Sequence, residues 1–519
     1  MNRARRGFAK TMRDKVSEFG QTRRVSQTSS QTTLTAADAP TRGRRRRIDP
    51  SPHYKESTTA QADLVDGWLD HQLPREHLAR KVLALVERFD LSAVDKKRSS
   101  LGRNGFNPRS LLAVLIYGSL VGQHEATKLS ELMVTDAALR FLAGGHRVSE
   151  RTLSRFRSEN LELFQSCLLE TERIAHELGL LRTDELSADS MRLRAHASTH
   201  AVRSLRRANE RLAELAEVDV ARLDDAARQQ HEEKVKAHRE TVAECKRREA
   251  PSYVTTNESA ALLKFPGGGT MPGHRVTVIS SGKKERIVVG VLVDASANDV
   301  GKLEGIVEQA RSVLTKIGFR DDVGLRVRAD AGYWSRKDLI FVEKNRAWLD
   351  ALIPEARKTS PQQTEKYYTR ERFKVFDDKV ICPAEKPMRG PHRDEHSERW
   401  RGVACPSCPL KPQCTPTRMR SFHLDRDYER AAASMRARMA KPDARQLYNE
   451  RIASIEPVFS NLQSVMQYRR VTSRVQRTIL AEIHLKLLAH NVSRLLAAGP
   501  TELFALIASD AFLASRPKA

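Results

Sequence analysis

The chain has 519 residues, and its 90 lysines and arginines against 65 acidic residues give a formal net charge of +25 at pH 7. This excess favours a polyanionic partner, either nucleic acid or, as the competing choice, an anionic membrane surface. We expect no membrane span, because no run of about 18 apolar residues occurs. No signal peptide is recognisable, and six cysteines argue against a disulfide framework. We therefore expect a cytoplasmic protein associated with the nucleoid.

Residues 1–60 are predicted to form a disordered basic arm. They are rich in Arg, Ser, Thr and Gln and poor in large apolar side chains. Residues 1–50 hold 13 Lys and Arg against 4 Asp and Glu, including the run Arg44, Arg45, Arg46 and Arg47. We interpret the arm as a DNA tether that binds phosphates. The alternative is a solvated tail that improves solubility.

Residues 61–180 are predicted to form an all-α, DNA-binding domain, because their apolar residues recur at helical spacing. Ser149 is a plausible N-cap for a helix with Leu153 and Phe156 on its apolar face. Arg151 and Arg155 lie on the polar side of that helix, which could enter a DNA groove. An ordinary amphipathic helix with a basic outer face is equally consistent with the pattern.

Residues 181–354 alternate between apolar runs and helical patterns and are predicted to form a mixed α/β domain. Asp189 lies on a short strand, and the apolar run Leu325–Ala329 places Asp330 at a strand end. The charge-dense residues 200–250 are predicted to be an inserted helical hairpin, for which a functionless spacer is the favoured interpretation.

Residues 355–425 are irregular and carry four of the six cysteines, and residues 426–498 return to a helical pattern that includes Glu456. Residues 499–519 are predicted to be a tail. The cysteine cluster contains a CxxC and could hold a structural Zn²⁺ on four thiolates: Cys382, Cys405, Cys408 and Cys414. His392 and His396 are possible substitute ligands, and reduced thiols in a loop are the alternative.

The three carboxylates at Asp189, Asp330 and Glu456 are far apart along the chain and can meet only through tertiary structure. Carboxylates suit Mg²⁺ or Mn²⁺, and two such ions roughly 3.5–4 Å apart can activate phosphodiester chemistry. The order of elements resembles the RNase H-like (retroviral-integrase-like) fold. That fold carries acidic residues on its first strand, after its fourth strand and on a late helix.

The chain also resembles the DDE transposases of bacterial insertion sequences over roughly residues 100–497. Segments similar to the family lie in the helical region and around each predicted carboxylate: residues 107–112, 155–157, 188–190, 195–198, 273–278, 297–299, 329–333, 448–459 and 490–495. The resemblance implies that Asp189, Asp330 and Glu456 bind two Mg²⁺ or Mn²⁺ ions. It further implies that Tyr448 and Arg451 contact DNA phosphates, although packing and ion-pair roles are equally consistent.

Two positions depart from the family pattern. Many relatives have a lysine seven residues beyond the glutamate, where this chain has Gln463, and we expect Arg469, Arg470 or Arg474 to substitute for it. Pro457 follows Glu456, which predicts that the glutamate lies at a helix start or kink.

The resemblance implies a transposase that binds the terminal inverted repeats of its element and catalyses metal-dependent DNA cleavage and strand transfer. Its partners would be the element ends and the target DNA, both double-stranded. Bringing two ends together implies a homodimer or a larger assembly. The alternatives are a catalytically decayed or regulatory DNA-binding protein and a recombinase with Tyr448 as nucleophile.

Overall fold

The computed structural model describes residues 54–63, 67–96, 104–295, 299–320, 322–355 and 367–509. The predicted basic arm, including Arg44 to Arg47, therefore lies almost entirely outside the described residues. Residues 499–509 of the predicted tail are described, and they contain a further helix, Pro500–Ala508.

The N-terminal region begins with a short antiparallel pair, β1 (Ala62–Asp63) and β2 (Gly67–Trp68). The expectation of an all-α domain is wrong in that detail, because these strands lie within residues 61–180. Seven helices follow: α1 (Leu78–Val86), α2 (Ser92–Asp95), α3 (Pro108–Leu120), α4 (Ala126–Leu132), α5 (Ala137–Leu142), α6 (Glu150–Glu159) and α7 (Leu161–Glu177).

Helix α6 begins as the sequence predicts, because the Ser149 side chain accepts a hydrogen bond from the backbone N–H of Thr152. Arg151 and Arg155 are exposed on its surface. Arg157, which follows the same basic pattern, is buried, and it donates to the backbone oxygen of His124 at 3.3 Å. One arginine of this helix is therefore a packing residue.

A six-stranded mixed sheet forms the centre of the protein. Its strands are β3 (Leu186–Arg194), β6 (Ala261–Lys264), β7 (Thr270–Ser281), β8 (Ile287–Asp294), β9 (Leu325–Ala329) and β10 (Leu349–Leu352). The order across the sheet is β10-β9-β3-β7, and both β8 and β6 pair with the far edge of β7. β3 is parallel to β9, and β9 to β10, whereas the other pairs are antiparallel.

Two helices lie between β3 and β6, in the segment where the sequence predicts an inserted hairpin. They are α8 (Leu205–Ala216) and α9 (Asp225–Arg247). At their base, β4 (Val202–Ser204) and β5 (Ser252–Val254) form an antiparallel pair. Only Ala208, Thr241 and Cys245 are buried along the two helices, so this element contributes little to the core.

Helices cover the sheet. α10 (Leu303–Lys316) packs on β7 and β8, and α11 (Arg336–Lys344) follows β9. Three C-terminal helices complete the cover: α13 (Arg426–Met439), α14 (Ala444–Ser460) and α15 (Gln476–Ala498). A π-helical segment, Asn461–Val465, follows α14, and α15 is followed by the helix in the predicted tail, α16 (Pro500–Ala508).

Helix α14 is attached to the sheet through two adjacent residues. Glu450 pairs with the buried guanidinium of Arg328 on β9 at 3.2 Å and with Lys283 at 3.3 Å. Arg451 reaches Asp189 on β3. Because both contacts come from the same helical turn, they set where α14 crosses the sheet.

Residues 367–425 form a small module with its own core. It contains β11 (Lys374–Val375), β12 (Val380–Ile381), β13 (Arg389–Arg393), β14 (Glu398–Arg401), the short helix α12 (Lys411–Cys414) and β15 (Ser421–Leu424). β13, β14 and β15 form a three-stranded antiparallel sheet. Across the described ranges of the chain, no helix is both long enough and apolar enough to cross a bilayer.

Candidate active site

Two of the three predicted carboxylates lie side by side. Ala188 of β3 is in register with Ala329 of the parallel strand β9, so the next residues, Asp189 and Asp330, stand at the same level. Asp189 accepts from the backbone N–H of Ser190 at 2.7 Å, and Asp330 accepts from that of Gly332 at 3.0 Å. The sheet thus brings together residues that are distant in sequence.

Both carboxylates are costly to ionise in this position. Burial raises the pKa of Asp189, and the charge of Asp330 raises it further. Burial also raises the pKa of Asp330, with an added contribution from Asp299. Raised carboxylate pKa values in a cleft are typical of sites where a cation or a proton stabilises the charge.

Arg451 supplies the positive charge at this site in the structure. Its Nη1 donates to Asp189 Oδ2 at 2.5 Å, and its side chain is only 11% exposed. Burial lowers the pKa of Arg451, but Asp189, Tyr448 and Asp330 together raise it by more than burial lowers it, so the net shift is upward. The predicted proximity of Arg451 to the reaction site is therefore present, as an ion pair with the first aspartate.

Asp299 is a third acidic residue near the pair. It precedes α10, whose N-cap is Lys302. Asp299 Oδ1 accepts from Ser190 Oγ and from Nη1 of the buried Arg275, both at 2.6 Å. Asp299 lies a few residues after the end of β8. This position near a strand end is the one sequence signal that could have marked it as a site residue.

Gly332 allows these carboxylates to lie close together. A Cβ at this position would lie 3.0 Å from Asp330 Oδ1 and 3.3 Å from Asp299 Oδ2. Tyr333, the next residue, is fully buried, and its pKa is raised by burial and then by Asp299, Asp189 and Asp330. The segment after β9 therefore supplies one carboxylate, the space beside it and the buried ring beneath it.

Glu456 is not part of this cluster. It is exposed on α14, five residues beyond Arg451, and this spacing turns it about 140° around the helix axis. Of the two predicted arrangements, a helix start or a kink, the structure excludes the helix start, because α14 continues to Ser460 with Pro457 inside its last turns. Among the residues that the structure describes, no three His, Cys, Asp or Glu side chains form a group that could hold a metal ion.

The predicted phosphate-binding residues lie around the carboxylates and beyond the end of β3. The Arg451 guanidinium lies 5.8 Å from the ring centre of Tyr448. Gln463, in the position of the family's lysine, approaches Met191 Sδ at 3.8 Å. Met191 lies two residues beyond Asp189 and therefore on the same face of β3.

Arg469 and Arg470 line a cavity of about 500 Å³ between the N-terminal helices and the sheet. The buried Arg157 and the imidazole of His196 also line it, together with Glu125 and Glu150. Arg470 bridges to Arg194 at the end of β3, so the cavity lies along the strand that carries Asp189. Arg474 donates to the backbone oxygen of His196 at 3.2 Å beside it.

The four predicted zinc ligands line one small cavity in the 367–425 module. His392 and His396 do not line it, and each is more than half exposed and paired with a neighbouring acid. The two histidines are therefore excluded as substitute ligands in this arrangement. The other two cysteines, Cys245 on α9 and Cys167 in α7, are buried elsewhere in the protein.

Two family models match separate parts of the chain. A family model described as a transposase DDE domain matches residues 381–496, and a second, described as a transposase domain (DUF772), matches residues 68–159. Both matched families are transposase domains, and together they support a transposase of the DDE type. The matched residues include Glu456, Arg451 and the cysteine module but neither Asp189 nor Asp330. No curated protein and no solved structure matches the chain.

Proposed function

We propose that this protein binds the ends of an insertion sequence and cuts and joins DNA there with the help of divalent metal ions. The observation that carries the proposal is the placement of Asp189 and Asp330 at one level on adjacent parallel strands, with raised pKa values. The strand order β10-β9-β3-β7-β8 supports an RNase H-like fold, in which the acidic residues occupy the first strand and the end of the fourth.

The donor set at this edge fits a hard cation. Carboxylate oxygens are the ligands that Mg²⁺ and Mn²⁺ prefer, and the Asp189–Asp330 pair concentrates negative charge that burial alone disfavours. Asp189, Asp330 and Glu456 would hold the ions, with Glu456 brought in by a rearrangement of α14. When bound, such ions polarise the phosphodiester and make water or a 3′-hydroxyl a better nucleophile.

The protein's own side chains bind and position the DNA. Arg451, released from Asp189 when cations neutralise that carboxylate, is free to bind a phosphate next to the cut. Arg469 and Arg470 bind the backbone farther along β3, in the cavity that the N-terminal helices close. Arg151 and Arg155 on α6 extend this basic surface. Two element ends would be joined in a homodimer or larger assembly.

The test uses duplexes that carry the inverted repeats flanking the gene, with Mg²⁺ or Mn²⁺. We expect Asp330→Asn to abolish cleavage, because it removes one ligand charge, and to leave DNA binding unchanged. Asp350→Asn is the matched control, because Asp350 is half-exposed on the neighbouring strand, where it pairs with Arg326 at 2.8 Å. Cleavage by Asp330→Asn at the rate of the control would contradict the assignment.

A catalytically decayed or regulatory DNA-binding protein is the second candidate. The exposure of Glu456 and the presence of Gln463 in place of a lysine favour it. The same experiment decides between the two. If the unmutated protein binds the repeats but cuts nothing with either metal, the regulatory function is supported and the enzymatic one is lost.

A further inference from the structure

The four cysteines of the 367–425 module come from three separate segments. Cys382 directly follows β12, Cys405 and Cys408 lie in the loop after β14, and Cys414 ends α12. All four nevertheless border one cavity of about 30 Å³. A cavity of this size has room for a single ion or water molecule.

We propose that these four thiolates bind one structural Zn²⁺ ion that holds the module together. Zinc in structural sites takes four ligands in a tetrahedron, with Zn–S distances of about 2.3 Å. Within the described residues the sulfur atoms border the cavity without forming a metal-holding group as they stand. Binding would draw them inward by rotation of the short cysteine side chains.

The backbone around the cysteines is folded into tight turns. The N–H of Cys408 donates to the Cys405 oxygen at 3.2 Å, and the N–H of Glu385 donates to the Cys382 oxygen at 2.9 Å. The N–H of Arg420 also donates to Cys405 Sγ at 3.4 Å. Such turns direct both sulfurs of a CxxC to one side, and N–H donors stabilise the negative charge of a thiolate.

The charge around the cavity also suits thiolates. Lys386, Lys411 and Arg420 line it, and the described part of its wall contains no acidic residue. The pKa of the Cys414 thiol is raised by burial and, to a smaller extent, by the other three cysteines, whereas Arg420 opposes the rise. A dication between the sulfurs would remove that mutual repulsion.

The module's core is too small to account for its fold. Seven buried side chains form a cluster that is separate from the main core: Phe373, Val380, Met388, Trp400, Cys414, Phe422 and Leu424. Modules of fewer than about 70–80 residues usually need a disulfide, a metal or another cross-link in addition to such a core. Since the cysteines are free, a metal is the cross-link that the arrangement permits.

Metal content of the purified full chain tests the proposal without any variant. We expect one zinc ion per chain after preparation without chelators, and thiolate-to-metal charge-transfer absorption after replacement of the zinc by Co²⁺. Absence of zinc, together with no uptake of ZnCl₂ and no such absorption with Co²⁺, would overturn the proposal. Neither measurement uses DNA or Mg²⁺, so failure of the zinc proposal would leave the proposed transposase function unaffected.

Variants then locate the ion. Cys405→Ser and Cys408→Ser should each lose the zinc, whereas Cys245→Ser, on the α8–α9 hairpin, should keep it. In the unmutated protein, a chelator should increase the number of thiols that react with a thiol reagent. Retention of zinc at the control level by both Cys405→Ser and Cys408→Ser would show adventitious metal and would also overturn the proposal.

Discussion

At the residue scale, the site is a balance between like charges and one arginine. Asp189 and Asp330 are neighbours across two parallel strands, and Arg451 is the cation in contact with Asp189. A buried charge that loses its partner is strongly destabilising, whereas a complete pair is nearly neutral. The stability of the protein should therefore depend on whether a cation lies beside Asp189, either the Arg451 guanidinium or a metal ion from solution.

Arg451→Gln should lower the stability of the metal-free protein, because Asp189 then stays buried beside Asp330 without a counter-charge. We expect a loss of about 3 kcal/mol in the free energy of unfolding, and a partial recovery when Mg²⁺ is added. Thermal unfolding with and without Mg²⁺ measures both effects. Arg445→Gln, on the exposed side of the same helix, is the control. An equal loss in that control would show a general helix effect.

Gly332→Ala should damage the site without unfolding the protein. The added methyl carbon would lie 3.0 Å from Asp330 Oδ1 and must displace that carboxylate. The carboxylate has to move by only a few tenths of an ångström, so cleavage should fall, but by less than the roughly 100-fold that a displacement of about 1 Å can cost. Gly324→Ala, which meets no atom within 4 Å, should cleave normally. Cleavage rates and melting temperatures of both variants provide the measurement.

At the element scale, α15 serves as a structural centre. It is buried on nearly all sides, which is the pattern of a helix inside a core. Next to it, a bulge in the β7–β8 pairing shifts the register after Ile279. Asn491 accepts from Val288 N at 2.9 Å and donates to Val288 O at 3.0 Å, directly beside the bulge. The His490-Asn491 motif therefore has a structural role, because it connects α15 to the backbone at the start of β8.

Asn491→Leu should destabilise the protein, because two backbone groups of Val288 lose their side-chain partner. The Thr171 hydroxyl loses one donor but keeps its bond to a backbone oxygen of α7. Each unsatisfied buried group costs about 1–3 kcal/mol, so we expect a total loss of about 2–5 kcal/mol. Urea unfolding measures it. Ser493→Ala, two residues farther along α15, removes only a local bond to the His490 oxygen and should change little. Similar midpoints for both variants would refute this role.

At the scale of the whole molecule, the N-terminal helices and the sheet share one continuous hydrophobic core. A buried amine lies where they meet. Lys486 on α15 is 1% exposed, and its Nζ donates to Ser119 Oγ on α3 at 3.0 Å. Burial lowers its pKa to about 7; Glu482 opposes this shift, whereas Arg157 adds to it. The neighbouring imidazole of His124 has its pKa lowered to about 4, mainly by burial.

Lys486→Met should stabilise the protein more at low pH than at high pH. Below about 7 the wild-type amine is charged in both states and the full cost of burying it is present. Above that pH the folded amine is neutral, while the unfolded one keeps its proton up to about pH 10. Wild-type stability should therefore rise with pH by up to about 1.4 kcal/mol per unit over this window.

Chemical unfolding at about pH 6 and about pH 9 measures the difference in the free energy of unfolding between Lys486→Met and the wild type. The advantage of Lys486→Met should shrink as the pH rises. Lys344→Met, at an exposed position on α11, should show no such trend. An advantage of Lys486→Met that is independent of pH would mean that the buried amine does not titrate in this range.

Much of the fold follows from local patterns that can be read in the sequence. The strand Leu325–Ala329 and the Ser149 helix cap were predicted from an apolar run and a capping residue, and the structure confirms them. Two helices also lie within the charge-dense residues 200–250. These features depend on neighbouring residues, whose preferences act over a few positions. The transposase class was also predicted, because its motifs occur in a fixed order, and the family matches confirm it.

The composition of the site was decided by tertiary structure. The sequence predicts that Asp189 and Asp330 lie near each other, provided that the strands take the RNase H-like order. It did not predict Asp299, which reaches Ser190 and Arg275 across the sheet edge, or the burial of Arg157. It also did not predict that Glu456 faces outward while Arg451 pairs with Asp189. A helix's rotation is set by everything it packs against, and that information is spread over the whole chain.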